Sequence, residues 1–312
     1  MIPSLTIIIT YHNNQGFLTA LLRSIASNIE SEIVKKVIVV DSDSIKPPSL
    51  PESFPVPIDV LYNAKGSLTS SLNLGLTNVR TSWACILDCD TEIESSLLWN
   101  IVKQASDRNI KVAIPLSVYP NKKQQECFDT LDTVLLGYIL SGRFMAYLLK
   151  PYYRSKEILS LPSTESFSVS FFWNQCVFVD MSIIEHFHYS ESLHVWPCDF
   201  ELSQRLTRMN QKIMCFPDYR IIHYGEGSGN HDDIVRMKAV LMGQFAYVNL
   251  AYPQASLPIH ILALILRALR LLLRITFLQT SLKINCDKTL VKIHLKLLYS
   301  LVLRNAHKLW PA

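Results

Sequence analysis

The chain has 312 residues, of which 49% are hydrophobic and 18% are charged, and its net charge is +4 at pH 7. This balance excludes a disordered chain and allows one sizeable core with an appendage. The charge is unevenly spread, because residues 257–312 hold nine Lys/Arg and one Asp, whereas residues 1–256 are mildly acidic. A basic apolar segment on an acidic globule predicts an anionic membrane surface as a partner, and no nucleic acid.

Predicted strands alternate with predicted helices in the first part of the chain. Apolar, β-branched segments at 5–10, 37–40 and 83–87 are typical of strands buried on both faces, and residues 17–29 and 67–79 have helical spacing. This alternation predicts an α/β fold with a mostly parallel central sheet flanked by helices. In such sheets, ligands bind beyond the carboxyl ends of the strands.

Two carboxylates, Asp88 and Asp90, follow the strand at 83–87 with one residue between them. Side chains at this spacing can converge on one side of a turn and hold a divalent cation through oxygen ligands. Acids in a loop that cap the next helix have the same pattern. The pair alone therefore leaves both interpretations open.

The regular pattern stops after residue 115 and returns at 171, with a strand at 171–179, a helix at about 200–210 and a strand near 220–223. We expect residues 117–170 to be an insertion within a catalytic domain of residues 1–250.

The seven cysteines form no CxxC pair, which argues against a disulfide framework and a zinc site. The N-terminal segment has no basic leader and an apolar run too short for a signal peptide. These features predict a protein that stays in the cytoplasm.

Four sequence blocks occur in order over about residues 5–230. They are residues 6–13 with 39–44, Asn63 to Gly75, residues 87–90, and residues 189–228, which include Asp199 and His223. Together they resemble the family 2 glycosyltransferases, which have the GT-A nucleotide-sugar-binding fold, and in particular the bacterial rhamnosyltransferase-like members.

The resemblance implies a role for each matching residue. The donor nucleotide-sugar would contact Thr10, Tyr11, Asp41, Asn63, Gly66, Asn73 and Asp88. A Mg²⁺ or Mn²⁺ ion would be held by Asp90 and His223, with Asp88 at the ribose or sharing the ion. Asp199 would be the general base of an inverting transfer to an acceptor hydroxyl. The chain departs from the family pattern at two places. Cys198 replaces an acid, which changes the surroundings of Asp199, and Gln175-Cys176 replaces Gly-Ala, which suggests an altered wall on the acceptor side.

The resemblance further implies a dTDP- or UDP-sugar donor, with rhamnose suggested by the subtype, and a lipid-linked saccharide acceptor in lipopolysaccharide or capsule synthesis. Residues 251–312 are expected to form a C-terminal amphipathic helical extension that binds the inner face of the cell membrane. Arg267, Arg270 and Arg274 share one helical face, which predicts a helix in the interface with its arginines toward lipid phosphates. Two helices packed on the catalytic core, with solvated bases, are the alternative.

Two other functions remain open at this point. A sugar-phosphate nucleotidyltransferase would need a Gly-rich phosphate loop after the first strand, but the first glycine is Gly16. A membrane-bound scaffold that has kept the fold and lost the chemistry is suggested by Cys198.

Overall fold

A computed structural model describes residues 3–129, 131–140, 165–193, 196–225, 233–276 and 281–309. Their contacts divide the chain into two compact units. Unit 1 comprises residues 1–131 and 155–229, and unit 2 comprises residues 132–154 and 230–312.

Unit 1 is built on a nine-stranded sheet flanked by helices. Its strands are β1 Leu5–Tyr11, β2 Val34–Asp41, β3 Ile58–Tyr62, β4 Trp83–Asp88, β5 Thr91–Ile93, β6 Val112–Val118, β8 Phe167–Val169, β10 Cys176–Asp180 and β11 Ile213–His223, with β7 Phe128–Asp129 and β9 Phe171–Phe172 forming a separate pair. Its α-helices are α1 Gln15–Asn28, α2 Leu68–Thr77, α3 Asn100–Asp107 and α5 Cys198–Arg208.

The sheet has the order β3-β2-β1-β4-β10-β6-β11-β5, and β8 also pairs with β11. Strands β3, β2, β1 and β4 are parallel to one another, as are β6 and β11, whereas β10 runs antiparallel between β4 and β6. The predicted fold class, a mostly parallel α/β sheet under helices, is confirmed. The parallel strands place the ends of β1, β2 and β4 at one edge of the sheet.

Local sequence explains how the first helices begin and how closely they pack. The side chains of Asn14 and Ser67 accept hydrogen bonds from backbone N–H groups in the first turns of α1 and α2. In α2, a Cβ on Gly75 would lie 2.5 Å from Cγ2 of Ile8, so the absence of a side chain lets this helix approach β1.

The region predicted as an insertion, 117–170, contains β7, a helix α4 at Thr133–Leu140, and β8 in its described parts, and residues 141–164 lie outside the described residues. The strand expected near 220–223 begins earlier, at Ile213, because two stretches of β11 pair with β6 on either side of a shift between Phe216 and Arg220.

Unit 2 is helical. It contains α4 Thr133–Leu140, α6 Asp233–Ala251, α7 Ser256–Thr276 and α8 Ser281–Leu309. The hydroxyl of Tyr138 lies 2.6 Å from Nδ1 of His260 and 2.9 Å from Nε2 of His294, and Phe245 stacks on His260. The predicted boundary at residue 250 falls one residue before the end of α6, whose contacts place it with the C-terminal helices.

One helix has the length and apolar composition of a membrane span, at Ser256–Leu273, with mean hydropathy 1.8; only 17% of this segment is buried. The predicted orientation of its arginines toward lipid phosphates is wrong for Arg267 and Arg270. Arg267 donates to the carbonyl oxygen of Tyr138, and Arg270 forms an ion pair with Asp287 at 3.0 Å. These partners lie inside unit 2 and draw the guanidinium groups inward; the side chain of Arg274 is not described.

Candidate active site

Three potential metal ligands are brought together by strands distant in sequence. Strand β4, which lies between β1 and β10 in the sheet, ends at Asp88. The turn that contains Asp90 leads into β5, where Thr91 pairs with His223 of β11. Nε2 of His223 lies 3.2 Å from Oδ1 of Asp90 and 3.9 Å from Oδ2 of Asp88. One ligand atom from each residue lies within 4.8 Å of the other two.

The orientation of His223 is set by Gln125, a residue that the sequence analysis missed. Nδ1–H of His223 donates to Oε1 of Gln125 at 2.9 Å, which leaves Nε2 facing the two carboxylates. Both side chains are buried. Gly225 has φ +69°, and a Cβ there would lie 3.2 Å from the Gln125 amide. Gln125 comes from the irregular segment after β6, where no pattern marked it.

The charges of the cluster shift each other's pKa. Burial raises the pKa of Asp88 to about 7; His223 opposes this shift, and Asp90 and Asp199 add to it. The side chain of Asp88 is 30% exposed, so solvent screens part of the effect. Burial lowers the pKa of His223, but the hydrogen bond to Asp90 and the charges of Asp88 and Asp90 outweigh it, so that the net shift is upward. The cluster therefore carries protons that a metal ion would displace.

Asp199 lies in the first turn of α5, and its negative charge contributes to the raised pKa of Asp88. The backbone N–H of Phe200 donates to its Oδ1 at 3.0 Å. Burial raises the pKa of Asp199 to about 6, and backbone N–H groups limit the rise. Burial also raises the pKa of the neighbouring Cys198 thiol well above its usual range, so this thiol is neutral. Of these two neighbours, Asp199 is therefore the one that can carry a charge at neutral pH.

Four of the predicted donor-binding residues end adjacent parallel strands. Tyr11 is level with Asp41 in the β1–β2 pair, and Thr10 is level with Asp88 in the β1–β4 pair. Asp41 is buried, and its Oδ1 accepts the backbone N–H of Ser44 at 3.0 Å. Thr10, Tyr11, Asp41 and Asp88 thus share the sheet edge where ligands bind in α/β proteins.

The other three predicted donor residues contact the start of α2 and neighbouring segments. Nδ2 of Asn63 donates to the hydroxyls of Ser70 and Ser71, and Gly66 has φ +61°, where a Cβ would meet that of Asp43 at 3.3 Å. Their contact with a donor stays a prediction.

The side-chain amide of Asn73 bonds to both the N–H and the carbonyl of Tyr189, each at 2.8 Å. The hydroxyl of Tyr189 in turn donates to Oδ1 of Asn174 at 2.6 Å. The sequence analysis assigned no role to Asn174, whose backbone N–H lies against Asp199 and limits the rise of its pKa. Asn73 thus holds the segment at Tyr189, which contacts Asn174 beside the candidate base.

Two carboxylates and one imidazole nitrogen form a donor set that suits a divalent cation such as Mn²⁺ or Mg²⁺, and a histidine ligand is tolerated better by Mn²⁺. A mostly parallel sheet with an acidic cluster at the ends of its strands agrees with the GT-A fold of glycosyltransferases. The chain belongs to the family described as Glycosyl transferase family 2, whose sequence profile matches residues 6–174.

One of two similar solved structures supports the fold, with a TM-score above 0.5. A crystal structure of GalNAc-T7 with UDP, GalNAc and Mn²⁺ superposes with a TM-score of 0.53 at 15% identity, over 71% of this chain and 44% of that one. A crystal structure of S. aureus TarS gives a TM-score of 0.46 at 12% identity, over 81% of this chain and 43% of that one. The chain thus spans less than half the length of either protein. Among curated proteins, none matches the sequence.

Proposed function

We propose that this glycosyltransferase is metal-dependent and inverting, and that it moves a sugar from a nucleoside diphosphate to an acceptor hydroxyl. The observation that carries the proposal is the cluster of Asp88, Asp90 and His223, with the buried carboxylate of Asp199 close enough to shift the pKa of Asp88. Such a cluster provides a cation site beside a candidate base.

Each residue has a defined task in this scheme. Asp88, Asp90 and His223 hold Mg²⁺ or Mn²⁺, which when bound supplies Lewis-acid stabilisation of the charge that develops on the diphosphate. Asp199 accepts the proton of the acceptor hydroxyl as its oxygen bonds to the anomeric carbon and the bond to the diphosphate breaks. With a pKa of about 6, Asp199 is mostly ionised at pH 7 and is a stronger base than an ordinary aspartate.

For the donor we propose a dTDP- or UDP-sugar, with rhamnose as the candidate sugar. Asp41 is the buried acid that would accept a hydrogen bond from the N–H of a pyrimidine base, beside Thr10 and Tyr11 at the ends of their strands. A thermal-shift panel of UDP-, dTDP- and GDP-sugars, with and without Mn²⁺, tests this. A ligand at 100 times its Kd should add about 2.7 kcal/mol of stability. A response to GDP-sugars alone would contradict the pyrimidine assignment.

For the acceptor we propose a lipid-linked saccharide of cell-surface polysaccharide synthesis, used by a chain bound to the inner face of the cell membrane. The basic, apolar composition of residues 257–312 supports this proposal. Transfer of radiolabelled sugar to a lipid extract, compared with transfer to water-soluble saccharides, distinguishes the two acceptor classes.

Replacement of the candidate base tests the chemistry. Asp199→Asn should lower kcat by about 10²–10⁴-fold, because a positioned base contributes about this much, while the donor KM changes little. Glu201→Gln is the matched control two residues along the same helix, since Glu201 pairs with Arg205 at 3.0 Å. We expect the control to keep its kcat. Full turnover in Asp199→Asn would exclude Asp199 as the base.

A scaffold without catalytic activity is the second candidate, favoured by the neutral Cys198 thiol in place of the family's acid. Purified protein that binds a donor and Mn²⁺ but neither transfers nor hydrolyses the sugar would support the scaffold. Turnover would exclude it.

A further inference from the structure

Helix α7 presents its large apolar side chains outward. We call the outward side the leucine face; it comprises Ile261, Leu262, Ile265, Leu269, Leu272 and Leu273, which are 43–61% exposed. These positions recur at helical spacing and lie on one side of the helix. A helix of a water-soluble protein normally has the opposite arrangement, with its apolar side toward the core, so the leucine face calls for an apolar partner.

The opposite side of α7 faces a polar interior. Arg267 is buried, bonds to the carbonyl of Tyr138 and lies over its ring, with the guanidinium carbon 5.3 Å from the centroid. Arg270 reaches Asp287 of α8. The charges of this part of α7 are therefore satisfied within unit 2 and are not available to a partner.

Helix α8 adds exposed lysines beside α7. Lys288, Lys292 and Lys296 are exposed on three successive turns, and Leu295 and Tyr299 are exposed among them. Contact of Arg270 with Asp287, and of the His260 ring with that of His294, shows that the two helices run antiparallel. The lysines consequently lie alongside the N-terminal part of α7, from about the level of Arg270 back to its first turn.

We infer that the leucine face of α7 inserts into the acyl region of an anionic lipid bilayer, with the helix axis in the membrane plane and the lysines of α8 at the lipid phosphates. A spanning α7 would carry Lys292, which is level with the middle of the helix, to mid-depth, where a charge costs about 2.5–3.5 kcal/mol. An anionic bilayer matches both the apolar face and the positive charge, whereas a second copy of the chain would carry the same positive charge. This surface is independent of the proposed transfer chemistry, and its test needs neither donor nor acceptor.

Vesicle binding by the full-length chain tests the inference. Wild type should bind vesicles of phosphatidylcholine mixed with phosphatidylglycerol, and the triple variant Ile265→Asn, Leu269→Asn, Leu272→Asn should lose on the order of tenfold in partitioning for each residue. Leu97→Asn is the matched control, because Leu97 is 60% exposed in unit 1. We expect the control to bind as wild type does. The inference would be overturned if wild type did not bind the vesicles, or if a folded triple variant bound them as well as wild type does.

Two charge variants separate the lysines from the arginines. Changing Lys288, Lys292 and Lys296 to Gln should weaken binding to the anionic vesicles by about fivefold per lysine and leave binding to pure phosphatidylcholine unchanged. Arg270→Gln should lower the Tm, because it leaves Asp287 without its ion pair, but should not alter partitioning of the folded protein. If Arg270→Gln weakened vesicle binding while the lysine variant did not, the arginines would face the lipid and the inference would be wrong.

Depth measurements distinguish an in-plane helix from a span. A spin-labelled non-natural amino acid at 261 or 272, on the same face and eleven residues apart, should report equal depths in the bilayer. A spanning helix would separate them by about 16 Å in depth. Light scattering tests self-association as the alternative. If wild type were a dimer that bound no vesicles, and the triple variant were a monomer, the leucine face would be a self-association surface and the inference would be wrong.

Discussion

Protons and a metal ion compete for the same candidate ligands. The pKa of Asp88 is raised to about 7 and that of His223 is raised above its usual value, so both groups bind protons more tightly than the free side chains do. A metal ion binds only the deprotonated forms. Protonation therefore competes with metal binding, and the competition strengthens as the pH falls below about 7.

We accordingly predict that Mn²⁺ affinity falls by between about tenfold and hundredfold per pH unit below pH 7, depending on whether one or two protons are displaced. Calorimetric titrations in buffers of different ionisation enthalpy count these protons directly. Asp88→Asn should bind Mn²⁺ more weakly and release fewer protons than wild type. An affinity that does not change between pH 5 and pH 7 would contradict the raised pKa values.

Gln125 gives a second prediction at the scale of the residue. Gln125→Leu removes the acceptor for Nδ1–H of His223 and should weaken Mn²⁺ binding by about 10–100-fold, since partners that orient a histidine ligand commonly have this effect. Gln125→Glu keeps an acceptor and should retain most of the affinity. Equal losses in the two variants would mean that Gln125 does not act through the orientation of His223.

The sequence identified the carboxylates of the site more readily than the polar residues that support them. Asp88 and Asp90 follow an apolar β-branched strand, a local pattern that marks a ligand-binding edge. Gln125 has no such pattern around it, and its contact with His223 joins positions 98 residues apart. Asn63 and Asn73 were assigned to the donor from the resemblance, and this stays a prediction; the structure adds that their amides bond to α2 and to the backbone of Tyr189. Sequence gives the residue types of a site, but not which polar groups are used up by the fold.

At the scale of the element, the approach of α2 to the sheet depends on one missing side chain. Alanine normally stabilises a helix relative to glycine by about 1 kcal/mol. At Gly75 the added Cβ would lie 2.5 Å from Ile8 and 3.3 Å from Val40, both on strands that cannot shift freely. We expect Gly75→Ala to destabilise unit 1 by about 1–3 kcal/mol, the usual effect of overpacking, and to lower the Tm by several degrees.

Gly16→Ala in α1 is the matched control, because the nearest atom to its added Cβ is 4.0 Å away. This variant should be as stable as wild type or slightly more so. Thermal unfolding of the two variants decides the point, and a Tm for Gly75→Ala equal to that of Gly16→Ala would show that α2 can move away from β1 at little cost.

Strand and helix positions of unit 1 were largely predictable, since buried parallel strands leave long apolar runs. The pairing of β5 with β11 was not, because the three residues of β5 have no pattern of their own and their partner lies about 130 residues later. The arginines of α7 show a further limit. Spacing correctly put Arg267 and Arg270 on one face, but only their partners Tyr138 and Asp287 determine that this face points inward.

At the scale of the whole molecule, unit 2 is discontinuous in sequence, which matters for where the chain can be cut. Oδ2 of Asp132 accepts hydrogen bonds from Tyr247 and Tyr252, and Tyr138 shares its hydroxyl with His260 and His294. The segment between the two parts of unit 1 and the segment after unit 1 thus complete each other's polar contacts. A catalytic fragment defined by position along the chain would separate them.

We therefore predict that a chain ending at residue 250 will not behave as a well-folded protein. It keeps α4 and most of α6 but loses α7 and α8, so the buried rings of Tyr138 and Phe245 become exposed and the Tyr138 hydroxyl loses both histidines. The fragment should bind a hydrophobic dye and aggregate, whereas the full-length chain in detergent should do neither. Because unit 1 has its own core, the fragment should still show a Mn²⁺-dependent thermal shift. A soluble, monomeric fragment without dye binding would show that α4 and α6 need no partner from the C-terminal helices.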